Sequence, residues 1–259
     1  VTSHSQRCVV VGAGRAGRAL ALALRSVGWH VDVIEARPLF DEEPGVAISD
    51  LTAAADTADL VLLTVTDAVI DSVAAIIPPI GGVVAHVSGA TTLAPLGRHR
   101  RTASMHPLMS LPNDHIGSER LLGGGTFAIT GDPFIAEVVD SLGGVSIEVP
   151  DEQRAAYHAA ASIASNHLVV LCGQVERLAE QIGVPADAYW AMMRSAVDNV
   201  AESGAAAALT GPAARGDWPT VRRHLAALPD DAERHLYMAC CTAAARLADQ
   251  QIPSDLQGR

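Results

Sequence analysis

The chain has 259 residues, of which 49% are hydrophobic and only 18% charged, so there is ample apolar surface to bury and nothing in the composition points to disorder. A formal net charge of −11 argues against tracking a nucleic-acid backbone or docking on anionic lipid, and no apolar run approaches the ~18–20 residues needed to span a bilayer. All 18 basic residues are arginine, which excludes any mechanism that needs a lysine acid, base or Schiff base.

At roughly 100–200 residues per domain, two domains are expected. Cys8, Cys172, Cys240 and Cys241 form no CxxC pair and no zinc-type cluster with histidine, so they read as reduced, buried thiols and no metal site is expected. With no leader peptide expected either, the reading is a cytoplasmic protein.

From residue 7 to about 150, short apolar runs alternate with amphipathic or turn segments, the pattern of βα units that build a mostly parallel sheet. Strands are predicted at 7–11, 30–34, 45–49, 59–65, 82–88, 102–107, 125–130 and 145–149. Between the first two lies RAGRALALALRSVG, whose alanines and leucines recur at helical spacing and which Gly28 closes. After Pro150 no strand-like run appears. Segments 151–182, 186–208, 218–227 and 230–249 read as helices, with Asp217 as an N-cap ahead of Trp218 and Pro219. The expectation is an α/β, doubly wound Rossmann domain over 1–150 followed by an all-α domain over 151–259.

The segment GAGRAG at 12–17 sets Gly12, Gly14 and Gly17 in the G-x-G-x-x-G pattern, directly after a strand and at the mouth of a helix. There Gly12 permits the tight turn, Gly14 lets the backbone approach a pyrophosphate and Gly17 lets helix and strand pack closely. Ala13, Arg15 and Ala16 complete the loop, and its first helical N–H groups face the anion. The end of the second strand chooses between cofactors: Glu35 favours the ribose 2′-OH of NAD, while Arg37 suits the 2′-phosphate of NADP. Either is also readable as a solvated loop residue, so the cofactor stays NAD or NADP. After the fourth predicted strand, Thr64, Val65, Thr66 and Asp67 lie along the carboxyl edge, where the nicotinamide ribose is held; Asp67 reads equally as a helix N-cap.

His86 and His106 fall at or near strand ends. His86 reads as a core histidine bonded to backbone, whereas His106, followed by a proline at the sheet edge, is as readily a proton donor facing the cofactor. Ser88 and Gly89 would form the loop above the nicotinamide. In the helix after Pro150, His158, Ser162, Ser165 and Asn166 share a ~100° stripe, which reads either as an inter-helix polar network or as a site where His158 donates a proton and Asn166 polarises the substrate. Arg215, in the loop 209–217, is a surface arginine or a clamp for a substrate carboxylate.

Along essentially its whole length, on VVGAGRAG, HVSGA, SMHPL, YHAAASIASNHLV and LTGPAARGD, the chain resembles the bacterial family that joins a Rossmann-like domain to a helical domain of unknown function numbered 2520. Its layout is similar to the β-hydroxyacid dehydrogenase and pyrroline-5-carboxylate reductase group, with a C-terminal domain like that of 6-phosphogluconate dehydrogenase. The resemblance implies hydride transfer, and extends to members assigned as ketopantoate reductases. The wider group's catalytic lysine has no counterpart here, which leaves His158 and Asn166 to take its place. The expected function is therefore an NAD(P)H-dependent oxidoreductase acting on a small 2-oxo acid or a cyclic imine acid, with Ser88 and His106 on the nicotinamide side, Ser162 and Arg215 binding the small carboxylate substrate, and a homodimeric assembly. The rival expectation is a cofactor-binding sensor or interaction protein without turnover.

Overall fold

The structure, a computed structural model, describes residues 5–36 and 45–258. It divides into two compact units, Val1–Ser165 and Asn166–Arg259.

The first unit is built on seven strands: β1 (Arg7–Val11), β2 (His30–Ile34), β3 (Leu60–Leu63), β4 (Val83–His86), β5 (Thr102–Pro107), β6 (Thr126–Gly131) and β7 (Val145–Glu148). They are ordered β2-β1-β3-β4-β5-β6-β7, and every neighbouring pair is parallel except the antiparallel β5 and β6. The central strands β1, β3 and β4 read as continuous apolar runs because both faces of the sheet are covered there. On one face Cys8, Val10, Leu60, Leu62, Val83 and Ala85 pack with Leu20 and Leu24 of α1 (Arg15–Ser26), and with residues of the later helices α4 (Asp114–Leu122) and α5 (Phe134–Ser141). On the other, Val9, Val11, Val61, Leu63 and Val84 pack with Leu51 and Ala55 of α2 (Gly45–Asp56) and with Ile70, Val73 and Ala74 of α3 (Ile70–Ile76). The alternation along each strand is the two-residue period of the pleat. The expected doubly wound, mostly parallel sheet is what forms.

One predicted strand is a helix. Residues 45–49 open α2, in which Leu51 and Ala55, four apart, are fully buried. A short run such as GVAIS has no decisive period of its own, and the DLTAAAD that follows carries it into a helix. The chain leaves β1 for β2 on one side and returns to β3 on the other, so a crevice opens at the carboxyl ends of β1 and β3.

The first unit also keeps the start of the helical segment. A 3₁₀ turn at Asp151–Gln153 leads into α6 (Arg154–Ser162). Asp151 Oδ2 accepts from the Leu93 amide at 3.0 Å, and Arg154 Nη2 donates to the Ser88 carbonyl at 2.6 Å. These bonds tie α6 to the loop after β4, which is why the break falls after Ser165 rather than at the change of composition near 150.

The second unit is helical throughout: α7 (Leu168–Gln181), α8 (Asp187–Ser203), α9 (Ala205–Ala208), α10 (Trp218–Ala227) and α11 (Asp231–Leu247). The predicted helix 151–182 is interrupted by a π-helical turn at Ile163–His167, and 186–208 breaks at Gly204, whose φ of 81° a helix cannot continue. Asp217 caps α10 as expected, its Oδ1 accepting from the Thr220 amide at 3.2 Å. Val221, Leu225, Met238, Cys241 and Leu256 form the core, and Glu233 accepts from both Gln174 and Arg177 beside it. Cys8 and Cys241 are buried, and burial pushes both thiols up, away from reactivity. Cys240, expected to be buried, is exposed, and Cys172 is half-buried. The two cysteines Cys240 and Cys241 are neighbours on α11, 100° apart, and only Cys241 turns into the core. Among the described residues no helix is long and apolar enough to cross a membrane.

Candidate active site

The glycine loop closes on β3. Gly12 sits at φ 116°, its amide donating to Ile34 O at 2.8 Å, and a Cβ there would come 2.8 Å from the Thr64 carbonyl oxygen. Thr64 Oγ1 in turn donates to the Gly12 carbonyl at 2.7 Å. A Cβ on Gly17 would overlap that same carbonyl oxygen, so the packing of α1 on the loop depends on a bare Cα. Gly14 differs: nothing lies within 4 Å of the position its Cβ would take. It caps the N-terminus of α1 without any side-chain acceptor, and no acidic residue occupies the first turn, where Arg15 and Ala16 lie. The first helical N–H groups are thus available to an anion.

Next to this N-terminus lies a cavity of about 450 Å³. Gly12, Ala13 and Gly14 line it from the loop, and Thr64, Val65, Thr66 and Val69 from the segment after β3. Glu35 and Ala36 close it beyond β2, and Arg18 from α1 shares the wall with Glu35. Arg18 escaped the sequence reading, which looked for a cation only after β2; Arg37 lies outside the described residues. Asp67 is the first residue of a 3₁₀ turn, Asp67–Val69; the N-cap position is Thr66, whose side chain makes no capping bond, so Asp67 is not the cap.

Further along the same carboxyl edge, the loop after β4 and the end of β5 meet α6. His106 Nδ1 is 2.7 Å from the Tyr157 hydroxyl. The His158 ring stands edge-on to His106 with centroids 5.6 Å apart. Gly89 is inserted against both imidazoles, so that a Cβ there would lie 3.0 Å from His106 Nε2 and overlap His158 Nδ1. Burial, then the neighbouring His158 and Arg154, push His106 down to about 4, against the weaker pull of Asp67. His106 is therefore a neutral imidazole at neutral pH. Burial likewise raises Tyr157 above its ordinary value, so its hydroxyl keeps its proton.

His86 is fully buried with Nε2 3.1 Å from the Thr92 carbonyl, the core histidine that its sequence context suggested. Ser88 is buried too, but its Oγ accepts from the Ala90 and Thr91 amides and donates to Thr91 Oγ1, so the hydroxyl closes its own loop. Of the stripe expected on the helix after Pro150, His158 is in this cluster and Ser162 is half-buried on α6, whereas Ser165 is exposed. Asn166 and Arg215 belong to the second unit and are exposed. Tyr157 and Arg154 were missed. Their spacing from His158, one and four residues, puts all three on one helical face, a signal visible in the sequence had the stripe been followed towards the N-terminus.

Residues 126–244 match the model of a domain of unknown function (DUF2520), in keeping with the resemblance read from the sequence. No curated protein matches the chain in sequence. Among solved structures, a Bacteroides fragilis protein assigned as an NADP oxidoreductase is 20% identical with a TM-score of 0.77, over 93% of this chain and 98% of that one. Protein TM1727 of Thermotoga maritima is 22% identical with a TM-score of 0.69, over 93% and 98%. The pyrroline carboxylate reductase of Plasmodium falciparum, solved with NADP bound, is 12% identical with a TM-score of 0.59, over 94% and 98%. The likeness to all three is one of fold.

Proposed function

We propose that the chain is an NAD(P)H-dependent oxidoreductase that reduces the carbonyl carbon of a small 2-oxo acid, with ketopantoate the named candidate, or the C=N carbon of a cyclic imine acid. One observation carries this reading: an anion-ready glycine cradle and a cluster of imidazoles lie on the same carboxyl edge of one sheet. The solved structures of this fold whose names include NADP support it.

The open space over Gly14 and the uncapped α1 N-terminus fit a pyrophosphate. Gly12, Ala13 and Gly14, with the turn from Arg15 to Gly17, would hold it, and Thr64, Val65 and Thr66 would line the path towards the nicotinamide. Glu35 would accept from an adenosine ribose 2′-OH, whereas Arg18 would pair with a 2′-phosphate. When bound, the cofactor supplies the hydride. His158, edge-on to His106 and against Gly89, would be the proton donor to the substrate oxygen or nitrogen. His106, kept neutral, shares a hydrogen bond with the Tyr157 hydroxyl, which fixes the orientation of that pair.

The test is a fluorescence titration of NADH and NADPH, followed by oxidation at 340 nm with a panel headed by ketopantoate and pyrroline-5-carboxylate. Turnover of one compound is the expected result. Tight cofactor binding with no turnover across the panel would favour a sensor, and no binding would overturn the proposal.

A homodimer is part of the proposal. Val169 on α7 is 67% exposed and Met192 on α8 is 64% exposed, with Val170, Val197 and Val200 also open. Apolar side chains left open on both helices suit a symmetry mate. Light scattering at micromolar concentration is expected to return twice the chain mass of 26.8 kDa; a monomer would refute it.

A further inference from the structure

Arg154 is 0% exposed, yet among the described residues no carboxylate lies within ion-pair distance of it. Arginines elsewhere in the chain behave differently. Arg101 grips Asp132 through two bonds of 2.8 and 2.9 Å, and Arg222 grips Asp255 in the same way. Arg154 instead makes one hydrogen bond, from Nη2 to the Ser88 carbonyl, and its Nε and Nη1 are buried without a partner. A buried cation so poorly compensated is costly, and arrangements of that kind cluster at functional sites. Other unpartnered buried atoms belong to its surroundings: His86 Nδ1, Asp151 Oδ1 and His158 Nδ1.

The position of this cation gives it a use. Arg154 opens α6, and Tyr157 and His158 follow at i+3 and i+4, so all three address one side of the helix. The carbonyl it holds belongs to the residue before Gly89, the glycine seated against His106 and His158. Resting on the reductase reading, we propose that Arg154 is the positioning residue of this site: it pins the loop after β4 so that Gly89 meets both imidazoles. Its charge adds to burial and to His158 in holding His106 neutral. The groups that face His106 are His158, Arg154 and Tyr157 from α6 and Asp67 from the turn after β3. Burial and two cationic or protonatable groups thus oppose one carboxylate, and removal of Arg154 weakens that opposition to protonation of His106.

The experiment is a pH titration of the histidine side chains by long-range proton–nitrogen NMR in the full chain. It compares the wild type with Arg154→Lys, Arg154→Gln and Arg154→Met, and uses neither cofactor nor substrate. His106 is expected to stay neutral down to about pH 4 in the wild type. Its midpoint is expected to rise by about one pH unit in the Gln and Met variants and to stay low in the Lys variant, which retains the charge. Gln keeps a polar amide at the buried position without the charge, so it reports the loss of charge even if the Met variant fails to fold. An unchanged midpoint in the Gln variant, or an equal rise in the Lys variant, would overturn the proposal. Because the readout needs no turnover, a chain that reduces nothing leaves this result intact, and a working reductase cannot rescue it.

Discussion

Gly17→Ala is expected to abolish NAD(P)H binding and to destabilise the first unit by about 3 kcal/mol or more, the upper range for a side chain forced into a packed site. The added methyl would overlap the Gly12 carbonyl oxygen and come 2.5 Å from Thr64 Oγ1. Neither neighbour can give way easily. The Gly12 amide is bonded to Ile34 O, and the Gly12 carbonyl accepts from Thr64 Oγ1, so the loop is anchored to both β2 and β3. Gly14→Ala is the contrasting case. Its methyl meets nothing in the protein, so unfolding by urea should be nearly unchanged, while cofactor affinity falls at least about tenfold because the methyl occupies the anion's approach. Equal loss of stability in the two variants would remove the case for a cradle at Gly14.

The second large effect concerns the imidazole cluster. His158→Ala is expected to lower kcat by about 10²-fold or more while the affinity for NAD(P)H stays within about twofold, since His158 does not line the cavity at the glycine loop. Tyr157→Phe removes the hydroxyl 2.7 Å from His106 Nδ1 and leaves that nitrogen without its partner. A smaller loss, about tenfold, is expected, because the ring that packs edge-on to His106 remains. Single-turnover oxidation of NAD(P)H with the substrate found in the panel measures both. A His158→Ala variant with unchanged kcat would place the chemistry elsewhere.

The glycine loop was legible because its requirement is local. A positive φ at Gly12 and a bare Cα at Gly17 are demands that only glycine meets, and the apolar strand before them and the amphipathic helix after them supply the context. The strands were legible because a sheet covered on both faces leaves runs such as LVLL with no polar interruption. Segment 45–49 misled because five residues are too few to separate a buried strand from the start of a helix.

The imidazole cluster was only partly legible. His106 and His158 stood out as titratable groups near apolar segments, but their meeting joins residues some fifty positions apart. The bond between Arg154 and Ser88 spans 66 positions, and the arginine gave no hint of burial, since arginine at the start of a helix is ordinarily a solvated charge. Ser88 was read as facing the cofactor, yet its Oγ closes the turn at 88–91, a choice made by backbone amides two and three residues on.

The sequence by itself determined the doubly wound sheet, the change to helices after Pro150 and the glycine cradle, because each follows from periodicity or from steric demands within a few residues. Tertiary structure decided that β6 runs antiparallel to β5, that α6 stays with the sheet, and that Arg154, Tyr157, His158, Gly89 and His106 lie together. Those outcomes depend on which distant backbone carbonyls and amides satisfy one another once water is excluded, and no local pattern encodes that choice.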